Sequence, residues 1–280
     1  MIGAKGPWRG SRFALTTVLG LGRRGFFIPY RHAPRVPAPG TRPTYAAIET
    51  LFAAHEAVFL AMLDRVEDLA GPLEAIGGQG ARWDQDWFPR MDAAVAYAMV
   101  RAARPRLIVE VGAGHSTRFM ARAIADASLE TRLVSIDPAP RAAPMGAAVE
   151  TIARDLHAVG DEVFAPLANG DILFIDSSHI LQPGTDVDRL LNHVIPALPA
   201  GVLVHLHDIF LPDDYPASWA WRGYNEQLGV AALLNGGTWQ PLFASCYVAT
   251  RQPDWLMRGV LGRLPLVPGA FESSLWLRRR

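Results

Sequence analysis

The residues best suited to chemistry in this 280-residue chain stand where apolar runs end. Glu110 sits in Leu107-Ile108-Val109-Glu110-Val111, directly before Gly112-Ala113-Gly114. Asp137 closes Arg132–Ile136, Asp176 closes Ile172–Ile175 and leads into Ser177-Ser178-His179, and His207-Asp208 closes Val202–Leu206. Carboxylates in such places bind cationic or hydroxylated ligands, and an imidazole near its ordinary pKa moves protons at neutral pH. Two carboxylates, Asp176 and Asp208, also make a candidate pair for a hard divalent cation such as magnesium.

The Gly-x-Gly turn lets a ligand approach the backbone, and the helix expected after it offers free N–H groups. Dinucleotide enzymes and other nucleotide binders share that turn. Glu110 separates them, because an acid beside the turn repels a pyrophosphate but tolerates a ligand with a cationic amine and no phosphate. S-adenosylmethionine (SAM) is such a ligand. Asp137 lies 23 residues beyond Gly114, the spacing at which a strand-end carboxylate reaches a ribose diol.

Apolar spacing over 45–69 predicts one long amphipathic helix with His55 on its packed face. A glycine-rich break follows, and then the loop 82–92, whose two Trp and three Asp suit either a ligand cover or a packed surface loop. A helix is predicted at 93–103, strands at 107–111, 132–137, 149–153, 171–176 and 202–208, and helices at 161–167 and 186–197. A helix from Asn225 to Leu234, a sixth strand at 239–250, a short helix at 255–261 and a last strand at 271–277 complete the chain. Buried strands alternating with helices mean α/β, a doubly wound, mostly parallel, Rossmann-like sheet with an N-terminal helical extension. All the strand-end acids then share one rim. Alternation along the fifth strand puts His205 and His207 on one face and Asp208 on the other if the strand stays regular; His205, the deeper one, reads as structural.

These stretches resemble the class I SAM-dependent methyltransferases, in the branch with Ile-Asp-Ser-Ser-His on the fourth strand and His-Asp on the fifth. The matching residues are Glu110–Ser116, Ser135–Pro138, Phe174–His179, Leu206–Phe210 and Asn225-Glu226-Gln227. The resemblance covers about residues 80–280. It implies that Glu110, Gly112, Gly114, His115, Ser116, Asp137, Asp155 and Asp176 bind the cofactor. Glu110 would lie near the methionyl amine, Asp137 on the ribose, Asp155 near the adenine and Asp176 between cofactor and acceptor. It implies catalysis by Asp176, His179, His207 and Asp208, with a metal on Asp176 and Asp208 or with His179 or His207 as a base. The implied reaction is O-methylation of a small molecule or sugar. A non-catalytic binding protein of the same fold and an NAD(P)-dependent oxidoreductase are the alternatives, the latter opposed by Glu110 and by Ser116-Thr117 in place of a third glycine.

Lys and Arg balance Asp and Glu at 27 each, but residues 1–48 hold eight basic residues and no acid. The expected organisation is a Gly/Pro/Arg-rich arm (1–43), a helix and loop (44–80) and a methyltransferase domain (81–280). The arm can meet an anionic membrane surface, nucleic acid or its own acidic domain. The acidic catalytic portion disfavours nucleic acid. Cys246 is the single cysteine, so no disulfide closes within the chain and a reducing, cytoplasmic setting fits. The apolar run 13–21 faintly resembles a signal-peptide core, but Arg23-Arg24 follows where a cleavage site would stand.

Overall fold

The computed structural model describes residues 5–78, 80–140, 149–257 and 259–280, with side chains from Gly10 onward. Residues 1–4 of the arm, Gln79 of the glycine-rich break and Arg258 of the expected short helix lie outside the described residues. The chain forms two compact units, Met1–Thr44 with Asp213–Tyr224, and Tyr45–Pro212 with Asn225–Arg280.

In the larger unit the strands β1 (Leu107–Val111), β2 (Arg132–Ile136), β3 (Val149–Ile152), β4 (Ile172–Ile175), β5 (Leu203–Leu206), β6 (Trp239–Ala244) and β7 (Leu275–Arg279) form one sheet. Their order is β3-β2-β1-β4-β5-β7-β6. The first five are parallel, and β7 runs antiparallel between β5 and β6. β1 and β4 are Val-, Ile- and Leu-rich and buried along their whole length, the composition of strands covered on both faces. The order reverses beside β1, so the crevice at the carboxyl ends of β1 and β4 is where an open α/β sheet binds ligands.

The smaller unit comprises α1 (Lys5–Val18), a 3₁₀ turn at Ala33–Arg35 and a second at Ala217–Arg222. Within it Arg42 pairs with Asp214 at 3.1 Å, and the Arg222 guanidinium lies 4.0 Å over the Trp219 ring. In the larger unit the region expected as one long helix is two, α2 (Ala46–Ala53) and α3 (Glu56–Asp68), bent by 58°. At the bend His55 Nδ1 hydrogen-bonds the Leu51 carbonyl at 2.8 Å, so a side chain occupies a helical acceptor. α4 (Ala70–Glu74) follows, then α5 (Arg90–Ala103), a small-residue helix whose Ala93–Val100 stretch is buried, and α6 (His115–Asp126).

The helix expected at 186–197 is α7 (Asp186–Arg189), a π-helical turn (Leu190–Val194) and α8 (Ile195–Ala197). Asp161–Val163 is a 3₁₀ turn rather than a longer helix. α9 (Glu226–Asn235) precedes β6. The sixth strand stops at Ala244 and continues as α10 (Ser245–Arg251), and β7 begins at Leu275, four residues later than expected. The later start of β7 has a local cause. The N–H groups of Ser273 and Ser274 donate to the buried Asp92 carboxylate at 2.9 and 3.0 Å, so they are withdrawn from any strand ladder. α11 (Pro253–Leu256) and α12 (Gly259–Arg263) lie between.

Candidate active site

The β1–α6 turn is held by its own polar groups. Gly112 has φ +91°, and a Cβ there would overlap the carbonyl oxygen of Asp176, so only glycine fits between the β1 and β4 ends. At Gly114 a Cβ would meet nothing, so open space lies beside the turn. Asp137 accepts from the Ala113 N–H at 2.8 Å and from the Ala139 N–H at 2.7 Å, tying the end of β2 to the turn. Glu110 is fully buried and receives hydrogen bonds from Ser116 (2.7 Å), Thr117 (2.7 Å) and Ser135 (2.8 Å). Burial pushes its pKa up to about 7, and the three hydroxyls work against that rise.

Glu110 therefore lies beneath the turn rather than on the open rim, and the Ser116 hydroxyl is spent on it. His115 is half-buried, and burial with the nearby Arg118 and Arg82 lowers its pKa, so its imidazole is neutral at pH 7. Asp155 lies exposed beyond β3.

A second cluster forms where β4 and β5 end. The Asp176 N–H donates to the Val111 carbonyl, which ties the first residue after β4 to β1. His179 adopts φ +60° and turns its ring back over the strand ends. Its Nε2 lies 3.3 Å from Asp176 Oδ1 and 3.4 Å from Asp208 Oδ2, while Nδ1–H donates to Glu226 Oε2 at 2.9 Å. Burial opposes a charge on this ring, but bonds to Asp176 and Glu226 and the field of Asp208 raise its pKa well above 6.5. His179 is thus an imidazolium among three carboxylates. Burial pushes Asp176 up, and the positive His207 and His179 outweigh it, leaving a pKa of about 2. The Asp176 side chain keeps 28% exposure, against 11% for Asp208 and 1% for Glu226. It is the carboxylate of this cluster that solvent reaches.

His205 and His207 do lie on one face of β5, their rings stacked at 5.9 Å. His205 is buried, stacked on Phe174 at 3.7 Å and bonded to Ser274 Oγ at 2.9 Å, and burial holds its pKa well below 6.5. His207 Nε2 donates to the Trp87 carbonyl at 3.0 Å, fastening the 82–89 loop to the end of β5. Burial opposes its charge, yet Asp208, Asp176 and Asp92 raise its pKa. Asp208 does not follow strand alternation. Its φ of +54° swings the carboxylate to His179 and to Ser273 Oγ at 3.2 Å.

Asp176 and Asp208, expected as metal ligands, are joined through His179, whose cationic ring stands between them. No group of three His, Cys, Asp or Glu with metal-binding geometry occurs among the described residues. This donor set does not fit a magnesium ion, because a hard cation needs oxygen ligands that converge without a competing charge.

Sequence reasoning gave no individual role to Glu226 or Asp92, and missed the Glu272-Ser273-Ser274 bracket. Glu272 binds Arg90 through two 3.0 Å bonds and accepts from the Met91 N–H, fixing α5 beside the site. A signal existed: three polar residues standing in an otherwise apolar strand pattern.

Residues 109–209, which run from β1 past the end of β5, match a family model described as a methyltransferase domain. This stretch therefore carries a methyltransferase domain. Among solved structures, the chain is similar in fold to Podospora anserina methyltransferase PaMTH1 bound to SAH (14% identity, 91% of this chain and 99% of that one, TM-score 0.43). It is also similar to CmcI with SAH (15%, 70% and 78%, 0.39) and to the plantazolicin methyltransferase BpumL with a pentazolic desmethylPZN analog and SAH (14%, 66% and 85%, 0.39). No curated protein matches.

Proposed function

We propose that this methyltransferase acts on a hydroxyl oxygen of a small molecule or sugar, with Asp176 as the residue that meets the acceptor. The observation that supports this reading is the double attachment of Asp176. Its carbonyl packs on Gly112 in the cofactor turn, and its carboxylate joins the His179 cluster.

Gly112, the open space at Gly114 and Asp137 fit a cofactor that needs close backbone approach and a carboxylate for its ribose. When bound, SAM supplies an electrophilic methyl group. Asp176 Oδ accepts a hydrogen bond from the acceptor hydroxyl and fixes its oxygen in line with that group. Its low pKa makes it a weak base. The hydroxyl becomes strongly acidic only as its oxygen gains carbon, so Asp176 accepts that proton late, as the new O–C bond forms. His179 serves as the counter-ion that keeps Asp176 ionised, not as the base, and His207 holds the 82–89 loop at the acceptor side.

Isothermal titration with SAM and SAH, followed by turnover on a panel of phenolic, sugar and aliphatic hydroxyls, tests this. The Asp176→Asn variant is expected to bind SAH within about threefold of the parent and to lose on the order of 10²-fold or more in kcat. Full turnover by that variant would overturn the assignment.

A further inference from the structure

The smaller unit carries an apolar, basic surface. Past α1 the chain turns back on itself through Leu19 N–H to Leu15 O (3.0 Å), Leu21 N–H to Thr16 O (3.0 Å) and Arg24 N–H to Thr17 Oγ1 (2.9 Å). This hydrogen-bonded stretch leaves its apolar side chains outward. Leu15, Val18, Leu19, Leu21, Phe27 and Ile28 are each at least 58% exposed, with Leu21 at 77% and Phe27 at 68%. Arg12, Arg23, Arg24 and Arg31 are exposed among them, and the Arg23 guanidinium lies 5.2 Å over the Phe26 ring. No acid occurs anywhere in residues 1–48.

We infer that this face docks on an anionic lipid bilayer surface. Three properties coincide in it. Aliphatic and aromatic side chains project from a short helix and its return turn, the depth that an interfacial element buries at the headgroup boundary. Arginines flank them, and a guanidinium can stay at the phosphate level while its stem lies along apolar surface. The positive charge of Arg12, Arg23, Arg24 and Arg31 complements the negative surface of an anionic leaflet, which attracts each basic residue separately. A second copy packed arm to arm would cover the apolar residues but would bring two acid-free, arginine-rich arms together without a counter-charge. No single helix among the described residues is long and apolar enough to cross a membrane, and the contact is therefore proposed as one along the surface.

Vesicle flotation of the full chain, with binding followed by tryptophan fluorescence, tests the inference without reference to any methyl acceptor. Vesicles of phosphatidylcholine with about 30% phosphatidylserine are expected to bind at least tenfold more tightly than phosphatidylcholine alone, and 0.5 M NaCl should remove most of the difference. The pair Phe27→Glu and Ile28→Glu should lower binding about tenfold or more, and Arg23→Ala with Arg24→Ala should lower it severalfold while weakening its salt dependence. All four positions are exposed, and an unchanged circular dichroism spectrum with unchanged SAH affinity confirms that each variant is folded. Equal affinity for the two vesicle types, or no binding by a folded protein, overturns the inference. Self-association at micromolar concentration that the Phe27 and Ile28 variants abolish, without vesicle binding, assigns the face to a second copy instead and overturns it likewise.

Discussion

The two halves of the sheet's carboxyl edge are built on different physical plans. On the β2–β1 side, the site is a backbone turn secured by neutral hydroxyls and two acidic side chains: Ser116, Thr117 and Ser135 on Glu110, and Asp137 on two N–H groups. On the β4–β5 side it is a knot of buried charge, with His179 among Asp176, Asp208 and Glu226. The first plan presents donors and space to a ligand of fixed shape. The second holds ionisable groups in fixed states, which suits the handling of an acceptor and its proton. A backbone cradle and a charged cluster thus lie apart along one edge, and Asp176 touches both, its carbonyl against Gly112 and its carboxylate beside His179.

Filling the junction should have the largest effect. Gly112→Ala sets a methyl group into the Asp176 carbonyl and forces an L-residue to φ +91°. Strain and overlap together are expected to cost about 3 kcal/mol or more. Thermal denaturation should show a midpoint lower by roughly 10 °C, with SAH binding lost. A variant with the parent's stability and affinity would mean that the two halves are not packed through Gly112.

On the charged side, Glu226→Gln keeps the shape and removes one carboxylate from His179. The His179 pKa is raised in the fold, so the stability it contributes is complete below about 6.5 and is lost as pH rises through its raised folded value. Removing Glu226 lowers that folded value, so the alkaline limb of the pH–rate profile should move to lower pH, with kcat at pH 8 reduced about tenfold to a hundredfold. A uniform fall in kcat with an unmoved limb would assign Glu226 a packing role only.

The hydroxyl-lined side has a pH signature of the same sign in a lower window. Glu110 has a folded pKa of about 7 against an ordinary 4.5. Burial favours its protonated form, so its contribution is present below 4.5 and fades as pH rises from there through 7. Relative to the parent, Glu110→Gln should flatten the dependence of unfolding free energy between pH 5 and 7 by about 2 kcal/mol. Denaturant midpoints at three pH values measure this, and an unchanged slope would place the titration elsewhere, with Asp92, raised by burial to about 6, the first alternative.

The same contrast explains what could be read from the chain. The turn, its Asp137 and the five parallel strands are local patterns: Gly-x-Gly after an apolar run, acids at run ends, alternation of strands and helices. Their partners lie within 25 residues, as Glu110 does from Ser116, Thr117 and Ser135. The charged knot is not local. His179 reaches Glu226 47 residues on, Asp208 reaches Ser273 after 65, and His207 meets Trp87 across 120. Individual residues were visible, but the left-handed bends at His179 and Asp208 that aim them were not, since nothing in the residue types demands a positive φ there. The same bends turn an expected metal pair into a carboxylate–imidazolium cluster. The break in the 45–69 helix escaped because its apolar spacing continues through His55.

The smallest predicted effect separates two duties of Asp137. Its carboxylate already accepts from Ala113 and Ala139, so it holds the turn whether or not it also receives ribose hydroxyls. Asp137→Ala removes both duties and should weaken SAH binding about tenfold, the loss of one or two hydrogen bonds to a charged group. Asp137→Asn keeps one oxygen able to accept from Ala113 but loses the second acceptor and the charge. If the turn alone matters, titration calorimetry will find the Asn variant within about twofold of the parent. If the ribose is bound there, Asn and Ala will weaken binding alike, because an amide nitrogen cannot accept a hydroxyl proton. Equal affinity in all three proteins would remove Asp137 from the cofactor side and leave that half of the rim to the backbone.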